Sequence, residues 1–140
     1  MPSALANLKV LDFSRVLAGP LATMVLADLA AVVTKVESPR GDDTRQWGPP
    51  YDEFGQATYF QSVNRNKESL VLDLANPADL EWARRLASEA DVLVENFRPG
   101  VMDRFGLAYE DVRASNPRLI YCSITGFGDG KGAALPGLCS

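Results

Sequence analysis

The feature that most constrains the fold of this chain is the alternation of short apolar segments with stretches of helical periodicity. Residues 8–13 form a short apolar segment, and residues 21–29, introduced by Gly19 and Pro20, carry apolar side chains at helical spacing. Residues 32–36 are rich in β-branched side chains, which favour strands. The start of the chain therefore predicts a β-α-β unit.

The same alternation continues along the chain. Residues 69–74 predict a third strand, and Asn76 and Pro77 are typical of the N-cap and the first position of a helix, which we expect to end near residue 89. The remaining predicted elements are strands at 91–95 and 118–124, short helices at 101–104 and 109–114, and a long ordered loop at 38–59.

This order of elements predicts an α/β fold with a Rossmann-like, mostly parallel sheet and helices on both faces. We expect residues 1–128 to form one domain and residues 129–140 to be a divergent tail. Ligands of such sheets bind at the edge where the strands end. The segments that follow the first and fourth strands are therefore the first candidates for a binding site.

The composition is that of an ordinary globular domain. The chain has 140 residues, of which 46% are hydrophobic and 23% charged, so we do not expect disorder. The formal net charge is −4, and the basic side chains form no continuous stripe. No nucleic-acid partner is therefore predicted, whereas small anionic ligands are compatible with this distribution.

Histidine and cysteine usage narrows the chemistry. Histidine is absent, which excludes Ser-His and Cys-His dyads and histidine-ligated metals. Cys122 and Cys139 have no metal-ligand spacing and are too few for a disulfide framework, so we expect no metal and a reducing cytoplasm. No apolar run reaches the roughly 20 residues that span a bilayer, so no membrane partner is expected.

The segment VENFRPGVMDRFG at 94–106 leads from the fourth predicted strand into a loop with an amide, an aromatic ring and guanidinium groups. Asn96 and Phe97 follow the strand directly, and Arg104 offers a fork of donors suited to a phosphate. Alternatively, Phe97 closes the core and Arg104 is a solvated surface charge. The complete segment is more specific than any of its residues alone.

Two further polar segments stand beside predicted strands. The segment VLDFSRVLAGP at 10–20 places a strand-to-helix loop where a phosphate or acyl carbonyl can bind, although it matches neither the dinucleotide fingerprint nor the P-loop. The segment NRNK at 64–67 is alternatively a turn in which Lys67 is solvated. Arg40 and Arg45 are candidate diphosphate partners, unless Asp42 and Asp43 neutralise them.

These three segments resemble those of the class III coenzyme A transferases, which include formyl-CoA transferase and carnitine CoA-transferase. The resemblance runs from about residue 8 to residue 128. It implies that coenzyme A is the ligand, with a CoA thioester and a carboxylic acid as the substrates. The positions that it marks as contacts to coenzyme A are Val16, Ala18, Leu72, Asn96, Phe97 and Arg104, and we add Arg40 and Lys67 as weaker candidates.

The resemblance also implies a mechanism. In the family, an aspartate attacks the thioester to give an anhydride and then an enzyme-bound acyl thioester. That aspartate lies some tens of residues beyond the segment that corresponds to TGFG at 125–128. We therefore assign no catalytic residue and expect the 140-residue chain to be inactive alone. Family members are about three times longer and form interlocked homodimers, which leaves the assembly of this chain open.

Two other functions remain open at this stage. The α-methylacyl-CoA racemases share the same motifs but use a histidine and an aspartate as acid and base. A non-catalytic interaction domain that has kept the fold is the third possibility. Within the motifs, Ala30 replaces the glycine with which the family usually ends its first helix. Cys122, in an alternating apolar segment, is predicted to be a small core residue.

Overall fold

The computed structural model describes residues 3–128, 130–135 and 137. Asp129, Pro136 and Cys139, which belong to the predicted divergent tail, lie outside the described residues. The sheet has five short parallel strands. The strands are β1 (Lys9–Asp12), β2 (Val32–Glu37), β3 (Lys67–Val71), β4 (Val92–Glu95) and β5 (Ile120–Ser123).

The connections between the strands contain the helices. They are α1 (Ala18–Asp28), a 3₁₀ helix (Asp43–Gln46), α2 (Thr58–Ser62), α3 (Pro77–Glu89), α4 (Val101–Arg104) and α5 (Tyr109–Ser115). The Asn76 side chain accepts hydrogen bonds from the backbone N–H groups of Ala78 and Asp79, and Pro77 begins α3. Among the described helices, none has the length and apolar character to cross a bilayer.

The strand order is β3-β2-β1-β4-β5, so β1 lies at the centre. Val10 of β1 pairs with Val33 of β2 on one side and with Val92 of β4 on the other. The chain moves outward from β1 to β3 and then returns to β4, which creates a crevice where the loops after β1 and β4 diverge. The predicted Rossmann-like fold is confirmed.

Alternate residues of the strands face two separate cores. Val10, Val33 and Val94 pack with Ala27 of α1 on one face of the sheet. Leu11, Phe13 and Leu93 pack against α3, α4 and α5 on the other face, where the buried contacts are Ala83, Ala87, Met102 and Val112. The two-residue period of a strand explains this division. Helices on both faces are therefore confirmed.

Two local predictions were wrong. The interval 38–59 is not a plain loop, because it contains the 3₁₀ helix and the first residues of α2, which is anchored by the buried Phe60. Cys122 is exposed, although it was predicted to lie in the core. It lies on the edge strand β5, beside Ile120, which is also exposed, because α1 covers the inner strands β1, β2 and β4 instead.

Ala30 adopts a left-handed backbone, with φ of 74°, directly after α1. A side chain is strained in this conformation, whereas glycine is not. We therefore expect Ala30→Gly to raise the free energy of unfolding by about 1 kcal/mol, measured by urea denaturation. Ala22→Gly within α1 is the matched control and is expected to lower that free energy by about 1 kcal/mol. Destabilisation by Ala30→Gly would contradict this expectation.

Candidate ligand site at the carboxyl edge of the sheet

A cavity of about 320 Å³ lies at the carboxyl edge of the sheet. It is bounded by the segments that follow β1, β2, β3 and β4, as expected for a crevice at the reversal of strand order. Three residues of the predicted site, Leu72, Phe97 and Arg104, lie together in its wall. The lining also includes Phe13, Arg15 and Phe105.

Asn96 joins the loops after β1 and β4. Its side-chain oxygen accepts a hydrogen bond from the Arg15 backbone N–H at 2.9 Å, and its side-chain nitrogen donates to the Arg15 carbonyl at 2.8 Å. The side chain is only 3% exposed. Asn96 therefore fixes the backbone of Arg15, and any contact that it makes with a ligand remains a prediction.

The loop after β1 is strained and tightly packed against α1. Val16 has φ of 68°, which is rare for a β-branched residue. Ala18 begins α1 and is exposed, so its backbone is accessible at the same edge. Position 19 requires glycine for steric reasons, because a Cβ there would overlap the side chain of Ser14. The loop thus keeps one fixed conformation beside the cavity.

The buried Asp12 carboxylate stabilises this loop from the interior of the domain. It accepts hydrogen bonds from the Ser14 backbone N–H at 2.9 Å, from the Ser14 hydroxyl, and from the Thr23 hydroxyl at 2.5 Å. Lys67 completes the set at 3.0 Å from Asp12, and it also donates to the Pro20 carbonyl and to Asn64, each at 2.9 Å. All three donors of the ammonium are therefore used within the protein.

Lys67 is not the solvated lysine that the alternative interpretation of the segment NRNK predicts. Its side chain is 2% exposed and supports the loop from inside the domain. Burial lowers the pKa of Lys67, and the charge and hydrogen bond of Asp12 act in the opposite direction. A contact between Lys67 and a ligand remains a prediction.

A second buried pair supports the same loop from β2. The Lys35 ammonium donates to the Ser14 carbonyl at 2.8 Å and to Asp42 at 2.9 Å. Burial acts to raise the pKa of Asp42, but the Lys35 charge and hydrogen bonds from Thr44 outweigh it, so that this pKa lies below its usual value. Among the described residues, Asp42 thus forms its ion pair with Lys35 and not with Arg40 or Arg45.

Glu37 binds Arg45 in a two-pronged ion pair, with both nitrogen–oxygen distances at 2.7 Å. Its carboxylate also accepts hydrogen bonds from Ser69 and from the Asp42 backbone N–H. Burial acts to raise the pKa of Glu37, but these hydrogen bonds and the Arg45 charge lower it to about 2. Arg45 is therefore occupied by Glu37, whereas Arg40 is exposed on the turn before it.

The arginines of the cavity are uncommitted. The guanidinium carbon of Arg15 lies 4.9 Å from the centre of the Phe97 ring. Neither Arg15 nor Arg104 forms an ion pair with a carboxylate of the described residues, whereas Arg45, Arg65, Arg85 and Arg113 each do. Two such cations beside an aromatic ring favour an anionic ligand with a flat group. Arg15 belongs to the motif at 10–20, but the sequence did not predict it as a site residue.

Another cavity of about 320 Å³ lies at the amino edge of the sheet, lined by Lys9, Val32, Thr34 and Leu86 among others. Its lining contains none of the predicted site residues and no arginine. Because ligands of open α/β sheets bind at the carboxyl edge, we assign the site to the cavity around Phe97.

Comparison with known proteins identifies the family. A family model described as CoA-transferase family III matches residues 5–138. The chain belongs to this family. The resemblance of its motifs to the class III CoA-transferases is thereby confirmed.

Several curated members of CoA-transferase family III are similar over most of the chain. The human succinyl-CoA:glutarate CoA-transferase is 51% identical over 125 residues, which are 89% of this chain and 28% of that protein. The succinyl-CoA:mesaconate CoA-transferase of Haloarcula hispanica is 53% identical over 130 residues, covering 90% of this chain and 33% of that protein. The chain thus spans about a third of the length of these relatives.

Solved structures of the family agree with the fold. A CAIB/BAIF family protein from Brucella suis superimposes with a TM-score of 0.94 at 50% identity, covering 98% of this chain and 37% of that one. A structure from Mycobacterium tuberculosis superimposes with a TM-score of 0.88 at 43% identity, covering 96% and 38% respectively.

Proposed function

We propose that this chain is the coenzyme A-binding part of a class III CoA-transferase, and that the cavity around Phe97 binds the adenosine and 3′-phosphate end of the coenzyme. One observation carries the proposal: Leu72, Phe97 and Arg104, which are distant in sequence, line one cavity at the reversal of strand order. Family membership makes a CoA thioester the expected ligand class.

The lining groups match the chemistry of a nucleotide. Phe97 offers a ring on which adenine stacks, and Leu72 offers an apolar contact to the sugar and base. The guanidinium of Arg104 forms charge-assisted hydrogen bonds with a phosphate. A volume of about 320 Å³ is at the small end of the range for ligand cavities, which suits the nucleotide end and not the whole coenzyme.

We further propose the reaction of the family, transfer of coenzyme A between two carboxylic acids. Curated relatives are named as transferases between succinyl-CoA and glutarate or mesaconate, and between acetyl-CoA and oxalate. The residues described here supply the coenzyme subsite, and the aspartate nucleophile of the family is expected outside them. We therefore propose binding of the coenzyme as the role of these residues.

Assembly with a second copy is part of this proposal. Leu21, Val25 and Leu29 lie along the outer face of α1 and are 43%, 49% and 46% exposed. Their four-residue spacing forms an apolar stripe, which favours burial against another surface. The stripe supports the homodimer that the resemblance implies.

Titration calorimetry of the 140-residue chain with coenzyme A tests the proposal. We expect binding, and we expect Arg104→Ala to weaken it by about 10- to 100-fold, because a hydrogen bond to a charged group contributes roughly 1.5–3 kcal/mol. Arg118→Ala is the matched control, since Arg118 is exposed and outside the cavity lining. Absence of heat with the unaltered chain, or equal affinities of the two variants, would refute the assignment.

A further inference from the structure

We infer that Arg15 is a second anion-binding arm of the cavity, which recognises the 5′-diphosphate of the coenzyme while Arg104 recognises the 3′-phosphate. This inference rests on the proposed function. Arg15 lines the same cavity as Arg104 but comes from a different loop, since Arg15 follows β1 and Arg104 ends α4. Two cations from two loops match a ligand with two separate anionic groups.

The backbone of Arg15 is fixed although its charge is free. Asn96 binds both its N–H and its carbonyl, at 2.9 and 2.8 Å. Lys35 holds the adjoining Ser14 carbonyl at 2.8 Å. The side chain nevertheless has no carboxylate partner among the residues that the structure describes. A firmly held residue with an unpaired cation in a cavity is a preorganised anion site.

The contact with Phe97 leaves the hydrogen-bonding capacity of Arg15 available. The guanidinium carbon lies 4.9 Å from the ring centre, which is a cation–π distance. A contact with an aromatic ring gives the N–H donors of a guanidinium no oxygen acceptor. Phe97 therefore contacts Arg15 without satisfying its hydrogen-bond donors.

The position of Arg15 in the fold selects the diphosphate. In Rossmann dinucleotide-binding sheets the diphosphate lies at the loop between the first strand and the first helix, and this chain has a loop at that position although it lacks the glycine fingerprint. Arg15 is part of that loop, between β1 and α1. Arg104 lies beyond the fourth strand, at the end of α4. We therefore assign Arg104 to the 3′-phosphate.

Calorimetry with coenzyme A and with dephospho-coenzyme A, which lacks only the 3′-phosphate, distinguishes the proposed roles of Arg15 and Arg104. We expect Arg15→Gln to weaken the binding of both ligands by the same factor, about 10-fold or more, because both carry the diphosphate. We expect Arg104→Ala to weaken coenzyme A binding and to abolish the preference for coenzyme A over the dephospho form. Arg15→Lys keeps the charge but removes the planar fork, and its affinity is expected between those of Gln and Arg.

Two results would overturn the inference: no loss of affinity with Arg15→Gln, or a loss restricted to coenzyme A. If Arg15→Gln does not fold, as judged by circular dichroism, Arg15→Lys alone decides by the same comparison of the two ligands. A failure of the proposed function is distinguishable, because the unaltered chain would then bind neither ligand.

Discussion

Substitution of Asp12 by alanine is expected to lower the free energy of unfolding by about 3–5 kcal/mol, the usual effect of removing one partner of a buried ion pair. Asp12 has no exposed surface, and its carboxylate accepts hydrogen bonds from Ser14, Thr23 and Lys67. Its loss leaves the Lys67 ammonium buried without a counter-charge. Small domains have only about 5–15 kcal/mol of stability, so urea denaturation will detect this loss readily.

Lys67→Met and the double variant Asp12→Ala with Lys67→Met complete the test. Replacing both charges at once leaves neither of them unpaired, and such replacements are often nearly neutral. We expect the double variant to be more stable than Asp12→Ala. Additive losses in the two single variants and the double variant would show that Asp12 and Lys67 do not act as a pair.

Glu37→Gln is expected to lower the free energy of unfolding by about 3 kcal/mol at neutral pH. The pKa of Glu37 is lowered from 4.5 to about 2 in the folded protein, and each unit of such a difference corresponds to roughly 1.4 kcal/mol. The Glu37 side chain is only 2% exposed but the Arg45 side chain is 38% exposed, so solvent screens the pair in part and the expected loss is smaller than the full conversion of the shift. Glutamine keeps the shape of the side chain but removes the charge.

The pH dependence has a definite sign. Because the folded pKa of Glu37 is lower than the unfolded one, its contribution is fully present above about pH 4.5 and is lost as pH falls through about 2. The stability difference between wild type and Glu37→Gln should therefore shrink as pH falls below 4.5. Glu89→Gln is the matched control, because the Glu89 side chain is 53% exposed and its pair with Arg85 contributes little. A pH-independent difference for Glu37→Gln would contradict the assignment.

Elements controlled by local chemistry could be predicted from the sequence. Helix α3 begins at Pro77 after the Asn76 cap as expected, because the cap and the proline act within one turn. Strand β3 was predicted at 69–74 but ends at Val71, because the Asp73 side chain accepts a hydrogen bond from the Ala75 N–H and forms a turn. Such a turn competes with the strand and has no apolar signature.

The candidate site was predictable only in part. Phe97 and Arg104 belong to one continuous motif after a strand, so fold class alone placed them at the carboxyl edge. The pairing of Lys67 with Asp12 could not be inferred, because these residues lie on different strands and their burial is set by tertiary packing. The role proposed for Arg15 depends on the hydrogen bonds between its backbone and Asn96, which the local sequence does not reveal.

The central place of β1 has a consequence for synthesis on the ribosome. One edge of β1 pairs with β2, which is synthesised soon after it. The other edge stays unpaired until β4 is synthesised, since Val10 pairs with Val92. A nascent chain that ends before β4 therefore exposes the unpaired backbone edge of its central strand. Vectorial translation thus delays closure of the sheet until most of these residues have emerged, and the half-built sheet is a natural substrate for chaperones.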